Sequence, residues 1–211
     1  MQKGMKTRMI GVLTGDIVNS MKVNARAWIK VLRKELRQTG DTPKYWEIYR
    51  GDSFQAEVSD PANALDSAIQ LKAAMRTLHG IDVRIAIGIG SKTFNSEKIT
   101  ESNGSAFVHS GEKYEELRSK KLEMAIKSPW ADFDTEVNLY IKLLLVAMKY
   151  WTTISAESLH TAMKNPEKSQ AELGKMMHVK QNAVSARLKR ARYDEIMVVI
   201  NRYKTLLSER L

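Results

Sequence analysis

The spacing of apolar residues changes near residue 130, and no other feature of the sequence constrains the fold as strongly. Before this point, short apolar runs alternate with segments whose apolar residues recur at helical spacing, a pattern typical of alternating strands and helices. From Phe133 onward, every apolar pattern has helical spacing. The sequence therefore predicts an α+β fold with two domains, at residues 1–130 and 131–211, divided near Ser128-Pro129-Trp130.

The order of elements in the first domain predicts a ferredoxin-like arrangement. The patterns indicate a strand, a helix, a β-hairpin, a helix and a strand, at residues 9–13, 28–36, 45–58, 61–78 and 81–89. Gly51-Asp52 marks the hairpin turn, and Asp60-Pro61 is a typical helix start. A short helix is expected around residues 104–121 and a further strand near residues 122–126. This is the β-α-β-β-α-β order of the split βαβ fold.

Charge and composition narrow the classes of function. Lys and Arg together number 34 against 24 Asp and Glu, and the net charge of +10 favours a polyanionic partner such as nucleic acid. The sequence has no cysteine, which excludes disulfides and cysteine-based metal sites. Its four His residues are scattered and show no H-x-x-x-H spacing, so a structural zinc site is not expected.

Neither apolar run of the chain is suited to a membrane. Met9 to Leu13 is too short for a secretory signal, and Leu139 to Met148 contains Lys142 and is far shorter than a membrane span. We therefore expect a cytoplasmic protein without membrane partners.

Residues 170–191 have the pattern of a helix-turn-helix. Leu173 and Met177 share one face of a first helix, and Gly174 provides a small side chain where a second helix crosses closely. Apolar residues at helical spacing form the inward face of the second helix: Val184, Leu188 and Ala191. His178 lies in the turn, where glycine is common because the backbone there has positive φ.

The outward face of the second helix carries no acidic residue between Lys180 and Arg192. Amide and hydroxyl side chains near the start of a recognition helix contact base edges, and later basic residues contact phosphates. We assign Gln181, Asn182 and Ser185 to bases. We assign Lys180, Arg187, Lys189 and Arg190 to the backbone of double-stranded DNA. The alternative is an amphipathic helical pair with a solvated basic face that mediates dimerisation.

Two aspartates stand out in the first domain. Asp16 follows the first strand, Asp52 lies at the hairpin tip, and the two carboxylates could approach each other on one sheet. Paired carboxylates bind Mg²⁺ or Mn²⁺, which in turn hold phosphates. Backbone N–H groups at a helix start would then contact a nucleotide, at Ile17, Val18, Asn19 and Ser20, together with Gly51. The alternative is that both aspartates are only cap and turn residues.

The segments Gly11-Val-Leu-Thr-Gly-Asp-Ile-Val-Asn-Ser20 and Tyr49-Arg-Gly-Asp-Ser-Phe54 resemble the core of the class III nucleotidyl cyclases. In that family an Asp of the first strand and an Asp of the hairpin bind two divalent cations, which implies this role for Asp16 and Asp52. With the helix-turn-helix, most of the chain resembles the SatD-type proteins, a bacterial group described as transcriptional regulators. The stretch Asn103 to Glu112 departs from the cyclases, since it lacks their Arg and a clear counterpart of their Asn.

The sequence thus predicts a DNA-binding transcriptional regulator whose cyclase-like domain binds a nucleotide or Mg²⁺ as a sensory ligand. A helix around Val137 to Met148 would couple the two domains. The alternative is an enzyme, a nucleotide cyclase or nucleotidyltransferase that uses the two aspartates. A third interpretation makes both motifs structural parts of an interaction protein. The sequence leaves open whether the chain is a monomer or a homodimer.

Overall fold

A five-stranded mixed sheet organises the first part of the chain in the computed structural model, which describes residues 8–211. Its strands are β1 (Met9–Val18), β2 (Trp46–Tyr49), β3 (Ser53–Val58), β4 (Asp82–Ser91) and β5 (Met124–Lys127). They lie in the order β2-β3-β1-β4-β5, and only the β4–β5 pair is parallel. With the helices described next, the predicted α+β class is confirmed.

Eight α-helices accompany the sheet between residues 8 and 211. Three are interspersed with the strands: α1 (Ala25–Leu36), α2 (Ala64–Arg76) and α3 (Ser105–Lys120). Five follow the last strand: α4 (Ala131–Met148), α5 (Thr153–Lys164), α6 (Gln170–Met176), α7 (Gln181–Ala191) and α8 (Tyr193–Ser208). Within residues 8–211, no helix combines the length and apolar character needed to cross a membrane.

Strand β1 is longer than the sequence pattern predicts. It continues five residues past Leu13, through the polar Thr14 and Asp16, because it is the central strand and pairs with β3 and β4 on both sides. Main-chain hydrogen bonds to two neighbours thus extend the strand where its side-chain pattern is interrupted. Helix α3 and strand β5 lie close to their predicted positions at residues 104–121 and 122–126.

The two faces of the sheet are covered by different helices. On β1, Leu13 and Ile17 point into the main core with α1 and α2, whereas Ile10 and Val12 pack against Phe107 of α3. Helix α3 approaches the sheet closely, because a Cβ atom at Gly88 would lie 2.1 Å from the carbonyl oxygen of Ala106. A glycine is therefore required at this position for helix–sheet packing.

The main core extends across residue 130 into the helices that follow the sheet. It includes Phe133 of α4 and Tyr203 of α8, whose hydroxyl donates a hydrogen bond to the carbonyl oxygen of Pro61 at 2.6 Å. Helix α5 is joined to α1 by Glu35, whose carboxylate lies 3.1 Å from His160 Nε2. It also lies 3.0 Å from Lys164 Nζ. The helical part of the chain is thus packed directly against the sheet-containing part.

A buried charge network lies at the junction of these two parts. The Nζ atom of the buried Lys72 is 2.7 Å from Asp82 Oδ1 and 2.8 Å from Glu123 Oε2. Asp82 also binds Arg76, whose Nη2 donates to the carbonyl oxygen of Trp151 at 2.7 Å. The network therefore joins α2, the start of β4, the turn before β5 and the segment between α4 and α5.

Replacing Lys72 with Ala should lower the free energy of unfolding by about 2 kcal/mol, because it removes a buried cation from Asp82, which then keeps only Arg76 as a partner, and from the half-exposed Glu123. Urea denaturation at neutral pH measures this loss. Lys120→Ala is the matched control, since it removes an ammonium group that pairs with Glu116 on the surface. The control should cost less than about 1 kcal/mol. Equal losses for the two variants would contradict a structural role for the network.

Candidate nucleic-acid interface and carboxylate site

Helices α6 and α7 form a helix-turn-helix that rests on α5. Side chains from all three helices meet in a small buried cluster made of Ala162, Leu173, Val184 and Leu188. Ala191 is buried as well, so the three residues assigned to the inward face of α7 all point inward. Packing on two neighbours orients α7 and leaves its opposite side free.

The turn between α6 and α7 depends on a left-handed residue and a glycine. His178 has φ of 54°, as the sequence pattern suggested, and the N–H of Val179 donates to the carbonyl oxygen of Gly174 at 2.8 Å. A Cβ atom at Gly174 would lie only 2.6 Å from the carbonyl oxygen of Val179. The glycine is therefore required by the backbone of the turn, more than by the crossing of the second helix.

The start of α6 is also well defined. Ser169 Oγ accepts from the N–H of Glu172 at 3.3 Å, and Glu172 Oε2 accepts from the N–H of Ser169 at 2.8 Å. This reciprocal pair is a capping box, which satisfies two backbone donors at the helix end. The Ser-x-x-Glu pattern of residues 169–172 is the sequence signature of this box, although no prediction was made from it.

The outward face of α7 presents polar and basic side chains to solvent. Arg187 is half-buried, and the other six residues assigned to DNA are exposed: Lys180, Gln181, Asn182, Ser185, Lys189 and Arg190. Arg192, just beyond the helix, pairs with Glu195. Within residues 8–211, none of the four basic residues assigned to DNA phosphates takes part in an ion pair. Their charges are thus available to a polyanion.

The hairpin brings Asp52 against the end of β1. The N–H of Ile17 donates to the carbonyl oxygen of Asp52 at 3.2 Å, and Ser20 Oγ donates to Asp52 Oδ2 at 2.5 Å. Asp16 lies opposite Ser53, the residue after Asp52, in the β1–β3 register. The structure therefore places the two aspartates side by side.

Asp16 has a cationic neighbour on the other side. Arg84 of β4 is directly opposite in register, and its Nη1 lies 3.2 Å from Asp16 Oδ1. Burial raises the pKa of Asp16, Arg84 opposes that shift, and the nearby negative charge of Asp52 raises the pKa further. The net pKa is above the usual range, chiefly because of burial, and the charge of Asp52 adds a smaller upward shift.

The residues assigned to nucleotide contacts differ in whether their polar groups already have hydrogen-bond partners. The N–H of Ile17 is already used by the hairpin, and Val18 is the last residue of β1. Asn19 has φ of 64° and donates from Nδ2 to the carbonyl oxygen of Gly80 at 3.1 Å. The exposed Gly51 also has positive φ. The prediction that a helix starts at Ile17 to Ser20 is wrong for an α-helix. A 3₁₀ turn spans Ser20–Lys22, and α1 begins at Ala25.

Three further side chains surround Asp16 that the sequence analysis did not identify. Arg84 comes from β4, and Tyr114 and Arg118 come from α3, with the Arg118 guanidinium 5.8 Å from the Tyr114 ring centroid. Burial raises the pKa of Tyr114, and the charge of Asp16 adds to this shift. Strand pairing would have identified Arg84 as the partner of Asp16, whereas only the placement of α3 brings in the other two.

A groove of about 930 Å³ leads away from this cluster. Its lining includes Asn19, Arg84 and Arg118 near β1, and Trp151 and Thr152 between α4 and α5. The groove therefore adjoins the carboxylate site through Arg84 and Arg118, although neither Asp16 nor Asp52 lines it, and it extends to the segment between α4 and α5.

The donor set of the site suits a hard cation. Asp16 and Asp52 provide two carboxylates, and the part of the chain that the structure describes contains no group of three or more acidic or histidine side chains arranged for a metal. Mg²⁺ keeps several waters and binds through one or two carboxylates plus substrate phosphates, so two carboxylates are sufficient. The sequence matches no protein-family model and no curated protein.

Opposite substitutions around Asp16 should move its pKa in opposite directions. Arg84→Gln removes a stabilising positive charge and should raise the pKa of Asp16 further. Asp52→Asn removes the like charge and should lower it. NMR titration of the side-chain carboxyl measures both shifts. An unchanged Asp16 pKa in Asp52→Asn would show that the two carboxylates do not interact.

Proposed function

We propose that this chain is a cytoplasmic DNA-binding transcriptional regulator of the SatD type, with a cyclase-like first domain that binds a nucleotide as a sensory ligand. The observation that carries the proposal is the outward face of α7, which is exposed, basic and free of acidic residues. It is supported on the inward side by a buried apolar cluster shared with α5 and α6.

The arrangement of α7 suits the major groove of duplex DNA. An α-helix fits that groove, and the residues at its start reach the base edges. Gln181 and Asn182 are the first two residues of α7, and each can pair in a bidentate manner with adenine. Lys189 and Arg190 in the last turn fit phosphates, which provide affinity without sequence preference.

The sheet supports the ferredoxin-like interpretation of the first domain. Its first four strands lie in the order β2-β3-β1-β4, all antiparallel, and α1 and α2 pack on one face. The fourth strand of a split βαβ fold pairs with the first, as β4 does here.

Asp16 and Asp52 are the residues that would hold Mg²⁺ or Mn²⁺, which supplies positive charge to the phosphates of a nucleotide. The guanidinium groups of Arg84 and Arg118 line the adjoining groove and favour an anionic ligand. Because that groove also reaches Thr152, a ligand there would contact the segment between α4 and α5. This is a direct route from the sensory site to the helices that carry α7.

The same site supports a second candidate, a metal-dependent nucleotidyl cyclase or nucleotidyltransferase. The observation in its favour is the close approach of the two aspartates, together with two arginines of β4 and α3. Formation of a cyclic nucleotide or a nucleotidyl product, lost in Asp16→Asn, would identify this activity. Binding of a nucleotide without its conversion to a product favours the sensory role.

Two substitutions on α7 should affect DNA binding differently. Lys180→Ala removes one phosphate contact and should reduce the slope of log K against log salt concentration by about 1. Asn182→Ala removes a base contact and should weaken binding to the preferred sequence by about 1–3 kcal/mol. Fluorescence anisotropy with a duplex selected from a random library measures both effects.

The control is Lys30→Ala, which removes the same charge from the exposed side of α1. It should leave both the salt slope and the sequence preference unchanged. If Lys30→Ala weakens binding as much as Lys180→Ala, the interaction reflects net charge alone. The helix-turn-helix would then not be a specific DNA interface.

Nucleotide with Mg²⁺ or Mn²⁺ should raise the melting temperature of the wild-type protein, because a ligand of the native state stabilises it by mass action. At a free concentration of 100 times Kd, the gain is about 2.7 kcal/mol. Asp16→Asn and Asp52→Asn should lose this shift, whereas the exposed Asp41→Asn should retain it. A shift that persists in both site variants would place the ligand elsewhere.

A further inference from the structure

The groove beside the carboxylate site carries more positive than negative charge on its walls. Its charged lining residues are Arg76, Asp82, Arg84, Arg118, Lys121 and Glu123. The two acids among them both bind the buried Lys72, whose Nζ atom lies 2.7 Å from Asp82 and 2.8 Å from Glu123. That cation offsets much of their charge, so the groove attracts an anion more than a cation.

The cations of the groove differ in whether they already have partners. Arg84 is paired with Asp16 at 3.2 Å. Arg118 has only a 3.7 Å contact with Glu115, and both of these side chains are largely exposed. Lys121 is exposed and forms no ion pair with any residue between 8 and 211. The charges of Arg118 and Lys121 are therefore available to an anionic ligand.

The guanidinium of Arg76 has two different kinds of partner. Its Nη1 lies 3.0 Å from Asp82 Oδ2, whereas its Nη2 donates to the carbonyl oxygen of Trp151 at 2.7 Å and lies 3.5 Å from that of Lys149. A guanidinium–phosphate pair, in which both partners are charged, is stronger than a bond to a neutral carbonyl. A phosphate in the groove is thus able to displace the carbonyls from Nη2 while Asp82 keeps Nη1.

We propose that the groove binds an anion of the pyrophosphate type through Arg118, Lys121 and Nη2 of Arg76, and that this anion releases the carbonyl of Trp151. A ligand with several negative charges matches the several cations that line one groove. The carboxylates of Asp16 and Asp52 are not needed for this contact, because neither lines the groove.

The release of Trp151 has a consequence for α7. The buried indole Nε1 of Trp151 donates to the carbonyl oxygen of Ala191, the last residue of α7, at 3.0 Å. Loss of the bond from Arg76 leaves the segment between α4 and α5 less firmly held, so the contact with α7 opens more readily. The ligand therefore weakens DNA binding. This effect on DNA rests on the proposed function, whereas the change of partners at Arg76 does not.

NMR of the ¹⁵N-labelled full chain, titrated with inorganic pyrophosphate in EDTA at constant ionic strength, tests the inference. The chain has four tryptophans, and Trp151→Phe assigns the indole signal of Trp151. Pyrophosphate should shift this signal and raise the hydrogen-exchange rate of the indole N–H by about tenfold. The buried Trp28 of α1 is the internal reference, and its signal should not change.

The double substitution Arg118→Gln and Lys121→Gln removes two cations of the groove without touching Arg76. It should weaken pyrophosphate binding by about tenfold, measured by isothermal titration calorimetry. Lys120→Gln is the matched control, because this neighbouring cation pairs with Glu116 and does not line the groove. Equal losses would show that pyrophosphate responds to net charge alone, which would overturn the inference.

Arg76→Lys separates the binding of the anion from the release of Trp151. Lysine keeps a positive charge beside Asp82, but it lacks the planar fork that serves a second acceptor. The variant should bind pyrophosphate and lose the response of the Trp151 indole. A full response in Arg76→Lys would contradict the role of the guanidinium.

A nucleotide with Mg²⁺ distinguishes the two sources of phosphate. If it changes the Trp151 signal as pyrophosphate does, the phosphates are those of a nucleotide, whereas a response to pyrophosphate alone identifies a free polyphosphate. A Trp151 signal that pyrophosphate leaves unchanged overturns the inference, whatever the nucleotide does. A Trp151 response in a protein that fails to bind DNA would leave the inference standing and contradict the proposed function.

Discussion

The buried ammonium of Lys72 is the centre of a charge network that lies beside the contact between the two parts of the chain. A buried cation must be paired, and its partners come from β4 and from the turn before β5. Arg76 extends the network to the carbonyl oxygen of Trp151. The network therefore holds α2, the start of β4 and the turn before β5 together, and Arg76 adds a hydrogen bond to the segment before α5.

The end of the sheet at Asp16 shows how a strand register creates an electrostatic site. A central strand places Asp16 beside Asp52 of the hairpin and opposite Arg84, and each neighbour changes the charge balance of the carboxyl. Asp16 lies between the positive charge of Arg84 and the negative charge of Asp52. A bound metal ion could take the place of Arg84 as the cationic partner of Asp16. Arg84 would then be available to a phosphate. The proposed sensory function would use this exchange of partners.

Much of this architecture could be predicted from the sequence, and the exceptions have physical reasons. The hairpin at Gly51-Asp52 and the helix-turn-helix at 170–191 are specified by local turn chemistry and periodicity, and both are present. Strand β1 was predicted too short, because main-chain pairing with two neighbours carries it through polar residues. Arg84, Tyr114 and Arg118 were missed, because only strand register and the packing of α3 bring them to Asp16.

The hydrogen bond from Trp151 Nε1 to the carbonyl oxygen of Ala191 has a further consequence. It joins the segment before α5 to the end of α7 inside the protein. A second hydrogen bond, from the Tyr203 hydroxyl to the carbonyl oxygen of Pro61, joins α8 to the sheet-containing part. The helix-turn-helix is therefore not an independent structural unit. Recombination that transferred residues 170–191 alone would leave these groups and the apolar surface around them exposed to water. Under the proposed function, a change of DNA preference would therefore come from point substitutions on α7, with the whole helical part kept as one block.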